Sequence, residues 1–574
     1  MAGAQQLTAV FDELSATLPL AQFPLPLEGS DEARHHASVL TSQVRDYLLP
    51  RAASLDAPLL VVVGGSTGAG KSTLVNSLLG ASLTRPGILR PTTKSPVLVC
   101  HPKDLSWFRT SRILPDLVRS TTQVHDSRAL QVIEFDALPP GLAILDAPDI
   151  DSVDGANRRL ARQLLQAADL WLFVTSGARY ADAIGWELLG EAASRNAVVS
   201  VILNRCPPDS LEDLKTHLGQ MLAARGLPRA KLFAMPERRL PGNGMLPATD
   251  VQPIRDWLGN LASQSERRTD VAIQTLAGSV RALDPQLRGL AQAARQQVSA
   301  IYDLRRQALV AFQHAAQEVA RSTSDGTMLR GEVLSRWQDF VGTGEFMRNV
   351  EQQISSWRDR VSGWFTGEQK AESVQVAVSD GLAALIVDHA SAACEQTVAQ
   401  WTLTPWGRDI VAASPELASV GAGFAEQAGR SIREWQGDLL AMVEEQGASK
   451  RMKARFLALG TNAIGAALII VIFASTGGLT TAEVGIAGGT SVLAQRLLEG
   501  VFGEDAVRRL AQQAKEQLDA RVQGLHASQL ARFESVLDQL SIDPSAGDRL
   551  DAVARALREA SSAAFRDLTK PEGI

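Results

Sequence analysis

Apolar positions along this chain follow three rhythms. Between residues 56 and 262, short apolar runs alternate with amphipathic stretches, which predicts strands at 59–64, 95–100, 130–136, 141–146, 169–175, 198–204 and 231–235. Strands alternating with helices predict a mainly parallel sheet covered on both faces. Residues 132–136 and 142–145 flank Pro139-Pro140-Gly141, which predicts a hairpin with one antiparallel strand at the sheet edge. Outside this region the rhythm is helical. Leu40, Val44 and Leu48 repeat every four positions before Pro50, so residues 1–55 are expected to be helical. Beyond residue 262 strand patterns vanish. Ile301, Leu304, Ala308, Ala311, Ala315 and Val319 form one helical stripe, with breaks at Gly326, Gly342-Thr343-Gly344 and Pro405. Val507, Leu510, Ala514, Leu518, Val522 and Leu525 repeat that spacing near the end.

The third rhythm is an absence of charge. Residues 456–482 are 27 positions without a charged side chain, including Leu468-Ile469-Ile470-Val471-Ile472-Phe473. Glu483 interrupts, and 484–495 is uncharged again but rich in glycine. The first part exceeds the roughly 20 apolar residues that cross a bilayer. Lys450, Arg451, Lys453 and Arg455 precede it, a basic cluster of the kind that marks the cytoplasmic, anionic-lipid side. The expectation is an apolar membrane hairpin at 456–495, with a buried helical hairpin in a soluble core as the rival reading.

Composition narrows the class. A chain of 574 residues is long enough for about three to five domains. Its net charge of −6 argues against a nucleic-acid-binding protein. Cys100, Cys206 and Cys394 lie too far apart for metal spacing or a disulfide framework, which suits a reducing compartment. Residues 1–6 carry neither a basic cluster nor an apolar run, so no secretory signal is expected.

Chemistry concentrates at Gly65-Ser66-Thr67-Gly68-Ala69-Gly70-Lys71-Ser72, which spells G-x-x-x-x-G-K-S. An apolar β-branched run precedes it and a helical pattern starting at Thr73 follows. Strand, glycine loop and helix in that order form a nest of backbone N–H groups at a positive helix end. Lys71 is placed to reach the β- and γ-phosphates of a nucleoside triphosphate, and the Ser72 hydroxyl to bind Mg²⁺. Farther on, Thr93, or Thr92 beside it, is the candidate switch threonine that closes the magnesium shell. The apolar strand ending at Asp146 is the Walker B arrangement, with Asp146 holding Mg²⁺ through a water. Residues 199–203 lead to Asn204 and Arg205, the candidate base-reading pair.

With these residues in place, the chain resembles the dynamin-like branch of large GTPases, bacterial and in particular actinobacterial, with a P-loop closer to the Era-like type. The resemblance rests on 65–72, the Thr93 to Pro96 step, Asp146-Ala147-Pro148, and the order of helical, nucleotide-binding and apolar segments. It implies a G domain and a long all-α stalk, divided as an N-terminal helical segment packing with the stalk (1–55), a P-loop GTPase domain (56–262), a stalk (263–455), a membrane hairpin or paddle (456–495) and returning helices (496–574). It implies GTP and Mg²⁺ as cofactors and lipid as partner, without nucleic acid. Pairing through G domains, with a second copy or a related chain, and anchoring at the cytoplasmic side of the cell membrane follow from it. Lys71, Thr93 and Asp146 would then serve hydrolysis, coupled to membrane remodelling, tethering or fusion. The chain departs from the family pattern in four places. Asp149 stands where D-x-x-G has glycine, and Pro207 where the guanine-reading carboxylate belongs, with Asp209 two residues on. Thr67 and Gly68 replace a Gln-Ser pair. Two rivals remain: a membrane switch or scaffold with little turnover, and a membrane-associated P-loop ATPase.

Overall fold

The computed structural model describes residues 2–84, 95–122, 126, 128–152, 154–324, 335–336, 365–446, 461–474 and 487–565. These divide into two units. The first holds 1–24, 28–298 and 542–574, and the second 25–27 and 299–541.

The first unit is built on a sheet of eight strands: β1 (Leu59–Gly65), β2 (Val97–Cys100), β3 (Val118–Ser120), β4 (Ala129–Glu134), β5 (Leu142–Asp146), β6 (Leu170–Ser176), β7 (Val198–Cys206) and β8 (Lys231–Pro236). They lie in the order β3-β4-β2-β5-β1-β6-β7-β8. Successive side chains of β1 point to opposite faces, as the pleat requires. Leu60 and Val62 enter one core with Leu145, Trp171 and Phe173, while Leu59, Val61 and Val63 enter the other with Ile144, Leu172 and Val174. A strand buried on both faces reads as a continuous apolar run.

The expected hairpin is not formed. β4 and β5 are not neighbours, because β2 lies between them, parallel to β4 and antiparallel to β5. All four residues of β2 are buried, whereas β4 is buried only in part. The wholly apolar strand takes the interior position, and the connection from β4 to β5 passes over it. The reversal therefore sits inside the sheet, not at its edge. β3, absent from the sequence reading, forms that edge.

A third core in this unit joins Phe11, Leu14, Val44 and Leu48 to Leu287, Leu290, Leu550 and Leu557. The N-terminal helices thus share a core with the start of the long helix Ser265–Ser322 and with Ala546–Phe565.

The second unit is helical. Its core contains Val378, Leu382, Trp435, Leu439, Leu518 and Val522 together with residues 466–473. The apolar helix Thr461–Ala474 has 14 residues, about 21 Å, against the roughly 30 Å of a bilayer core. Residues 463–473 are all buried, packed against the helices Phe365–Trp401, Phe424–Gln446, Ala487–Phe502 and Glu504–Asp538. The Trp435 and Phe473 rings stack at 6.3 Å, and Trp435 Nε1 donates to the Ala514 carbonyl at 2.9 Å. In this structure that apolar surface is covered by protein. The turn needed for a hairpin, residues 475–486, and the basic cluster 450–455 lie outside the described residues. Among the described residues, one helical stretch, Glu372–Trp401, is long and apolar enough to cross a membrane.

Candidate phosphate-binding site

The cradle forms where β1 ends. Gly65, Gly68 and Gly70 all have positive φ, and the helix Lys71–Leu79 begins at once. Gly70 is required on two counts: its φ is +94°, and a Cβ there would meet Asn204 Nδ2 at 2.6 Å. The Asn204 amide uses that space, donating to the Ala69 carbonyl at 2.9 Å, while its Oδ1 accepts the Arg205 N–H at 2.9 Å. Asn204 thus ties the end of β7 to the glycine loop. Arg205 is exposed, with φ +53°.

Lys71 is 5% exposed and turns back under the loop. Its Nζ donates to the Gly65 carbonyl at 2.9 Å, to the Ser66 carbonyl at 3.3 Å and to Asp149 Oδ1. An ammonium has three protons, so all its donors are engaged. Thr67 is held as well. Asp151 Oδ1 accepts from the Thr67 N–H at 2.6 Å and from its hydroxyl at 2.7 Å. Arg179 closes this corner, donating to the Thr67 carbonyl at 3.1 Å and pairing with Asp151 at 2.8 Å and Asp182 at 2.7 Å. Burial works against the Asp151 charge, but the Thr67 bonds and Arg179 outweigh it and hold its carboxyl below the usual range.

Asp146 ends β5 beside Val63 of β1 and Val97 of β2, wholly buried. Burial pushes its pKa up to about 6, opposed by the Ser72 hydroxyl, the Lys71 charge and the Thr84 hydroxyl. Both hydroxyls lie near enough to favour the ionised form, yet neither carboxylate oxygen has a hydrogen bond of normal geometry. A buried carboxylate left without partners costs several kcal/mol unless something else meets it. Carboxylate and hydroxyl oxygens are the donors magnesium takes, and it uses one or two carboxylates when phosphate and water complete its shell. The residues present therefore fit a magnesium ion beside a phosphate chain. Among the described residues no three His, Cys, Asp or Glu gather into a closed cage.

Of the sequence candidates, the loop 65–70, Lys71, Ser72, Asp146 and Asn204 come together. Thr73 sits in the first turn of the helix, where its carbonyl accepts the Ser77 hydroxyl at 2.6 Å. Thr93 and Thr92 lie outside the described residues. Pro207 and Asp209 are exposed beyond the end of β7. Sequence reading missed Asn76 and Thr84, and it gave no role to Asp151 or Arg179. Thr84 stands only 12 residues after Ser72, before any strand pattern resumes, so nothing local singled it out.

With this geometry in place, the comparisons divide. No family model matches the chain. One curated relative, "Probable transmembrane GTPase FZO-like, chloroplastic" of Arabidopsis thaliana, is 28% identical over 148 residues. Those residues are 26% of this chain, and they span only 15% of the relative's length. Two solved structures, described as an oligomerised bacterial dynamin pair providing a mechanism for long-range sensing and tethering of membranes, align over 94% of this chain and 96% of theirs. Both are 11% identical, with TM-scores of 0.42 and 0.41, and a likeness this loose carries no argument.

Proposed function

We propose that this chain is a membrane-associated, dynamin-like GTPase. The observation that carries the reading is the meeting of a glycine cradle, its lysine and a buried Asp146, whose carboxylate has no hydrogen bond of normal geometry, at the end of one strand pair. Backbone N–H groups around 68–72 and the helix N-terminus bind the phosphates, and Lys71 exchanges backbone carbonyls for phosphate oxygens. Ser72 and Asp146, with Thr84 close by and Thr93 as the candidate switch threonine, would hold magnesium. When bound, that ion neutralises charge developing on the phosphate oxygens. Asn204 keeps the loop in its phosphate-binding shape by fixing the Ala69 carbonyl. Guanine is favoured by Asn204 and Arg205 at the end of β7 and by the GTPase name of the Arabidopsis relative.

The membrane part rests on the charge-free stretch 456–482 and the basic residues before it. Since 463–473 are packed among helices here, lipid engagement requires that segment to exchange protein neighbours for acyl chains. G domains of two copies, or of a paired related chain, would associate across their nucleotide faces, and hydrolysis would drive tethering or remodelling.

The test is phosphate release by the full chain from GTP and from ATP, with and without anionic vesicles. GTP is expected to be preferred and turnover to rise with vesicles. Lys71→Ala is expected to weaken nucleotide binding about a hundredfold, the loss typical of truncating a buried charged contact. Preference for ATP would overturn the base assignment. One observation favours a second reading, a slow switch or scaffold: Asp149 already occupies Lys71. Tight GTP binding with negligible turnover and unchanged vesicle shape would select it.

A further inference from the structure

We infer that Asp149 sets how strongly the site prefers a nucleoside triphosphate over a diphosphate, its carboxylate standing on Lys71 where the terminal phosphate of the longer ligand has to go. This rests on the phosphate-site reading above and deepens it.

Three observations lead there. Lys71 and Asp149 pair with only 5% and 10% of their side chains exposed, so water screens them little. Asp149 is the one anion among the lysine's three acceptors, the other two being carbonyls of the loop itself. Its position is fixed from both sides. The Ala147 N–H donates to the Val63 carbonyl at 3.2 Å and the Ile150 N–H to the Gly65 carbonyl at 3.4 Å. Asp151 is anchored on Thr67 and Arg179. The backbone that carries Asp149 is therefore pinned along the cradle, and its carboxylate is delivered to Lys71 by the chain path and not by a free rotamer.

A diphosphate needs one donor of Lys71, and a neutral carbonyl can release it. A triphosphate brings a second anionic group to the same ammonium. Two anions at contact distance in a poorly screened pocket repel by several kcal/mol at an effective dielectric of about 20. The shorter ligand sets one phosphate against the Asp149 carboxylate and the longer one two, so the longer ligand has the greater need to expel it. A glycine at this position, as in D-x-x-G, would impose no such discrimination.

The experiment measures dissociation constants of GTPγS and GDP, each with saturating Mg²⁺, for the full chain, Asp149→Asn and Asp149→Ala. Thermal unfolding without nucleotide checks that each variant folds, and agreement between two differently shaped neutral residues separates charge from packing. The ratio of the GDP to the GTPγS dissociation constant is expected to rise about tenfold or more in both variants, chiefly through tighter GTPγS binding. An unchanged ratio, or an equal gain for both nucleotides, overturns the inference and leaves the phosphate site standing. Failure of the unaltered chain to bind either nucleotide overturns both.

Discussion

Asn76 holds Thr84 by both ends of its amide: Nδ2 donates to the Thr84 carbonyl at 2.6 Å and Oδ1 accepts the Thr84 N–H at 2.8 Å. Both residues are buried, and the Thr84 hydroxyl, within donating reach of the Ser72 carbonyl at 3.2 Å and of Asn76 Oδ1 at 3.1 Å, lies beside Asp146. Thr84→Val keeps the backbone grip and removes only the hydroxyl. The nucleotide complex is expected to lose about tenfold in Mg²⁺ affinity, the scale of an altered supporting oxygen, while Mg²⁺-free nucleotide binding stays the same. Titration of Mg²⁺ at fixed GTPγS reads this directly, and an unaltered midpoint removes Thr84 from the site.

How much of this was legible in the sequence depends on the distance over which each feature is encoded. The cradle 65–72 is local: glycine spacing, the apolar run before it and the helix after it lie within about 20 residues, and they appear in the structure as read. The insertion of β2 between β4 and β5 is a long-range pairing, and no periodicity specifies which strand stands next to which. β3 is three residues long with Val118 exposed, too short for an alternation to register. Asp151 and Arg179 meet Thr67 from 84 and 112 positions away. The charge-free stretch was visible, but lipid and protein interiors select the same side chains, so hydrophobicity could not say which would cover it.

Arg51 and Asp169 form a buried pair joining the N-terminal helices to the sheet, with 5% and 1% exposure. Burial pushes the Asp169 carboxyl up, while Arg51 and the Leu60 N–H, at 2.8 Å, favour its charge. Arg51→Met is expected to cost about 3–5 kcal/mol by leaving that charge alone, and Arg51→Met with Asp169→Asn markedly less. Denaturant unfolding of the two variants compares them. Equal losses would mean that packing, not charge, governs the joint.

In the helical unit, burial holds the His526 imidazole below its usual pKa, with His389 adding repulsion and the Val522 carbonyl opposing. The unfolded chain therefore takes up a proton before the folded one does. Stability is intact above about pH 7 and declines as pH falls through about 6.5, by no more than roughly 1.4 kcal/mol per pH unit for this group. His526→Gln is expected to flatten the melting temperature between pH 7 and 5. A slope identical to that of the unaltered protein would assign the acid sensitivity elsewhere.

Phe473 is completely buried against Trp435. Phe473→Ala is expected to destabilise the helical unit by about 3–5 kcal/mol, the range for emptying an aromatic site in a packed core. Near-ultraviolet circular dichroism during urea unfolding follows it through Trp435. A loss below about 1 kcal/mol would mean that this helix is only loosely docked.

Lys71 carries its own counter-ion, Asp149, so the lysine adds no unpaired charge to the cradle. On the phosphate-site reading, a simple anion such as chloride or sulfate meets the backbone N–H groups of the nest but a lysine that is already paired. On that reading, a ligand with several linked phosphates, which offers the nest and the lysine together more than one carboxylate can, is the kind that separates the pair.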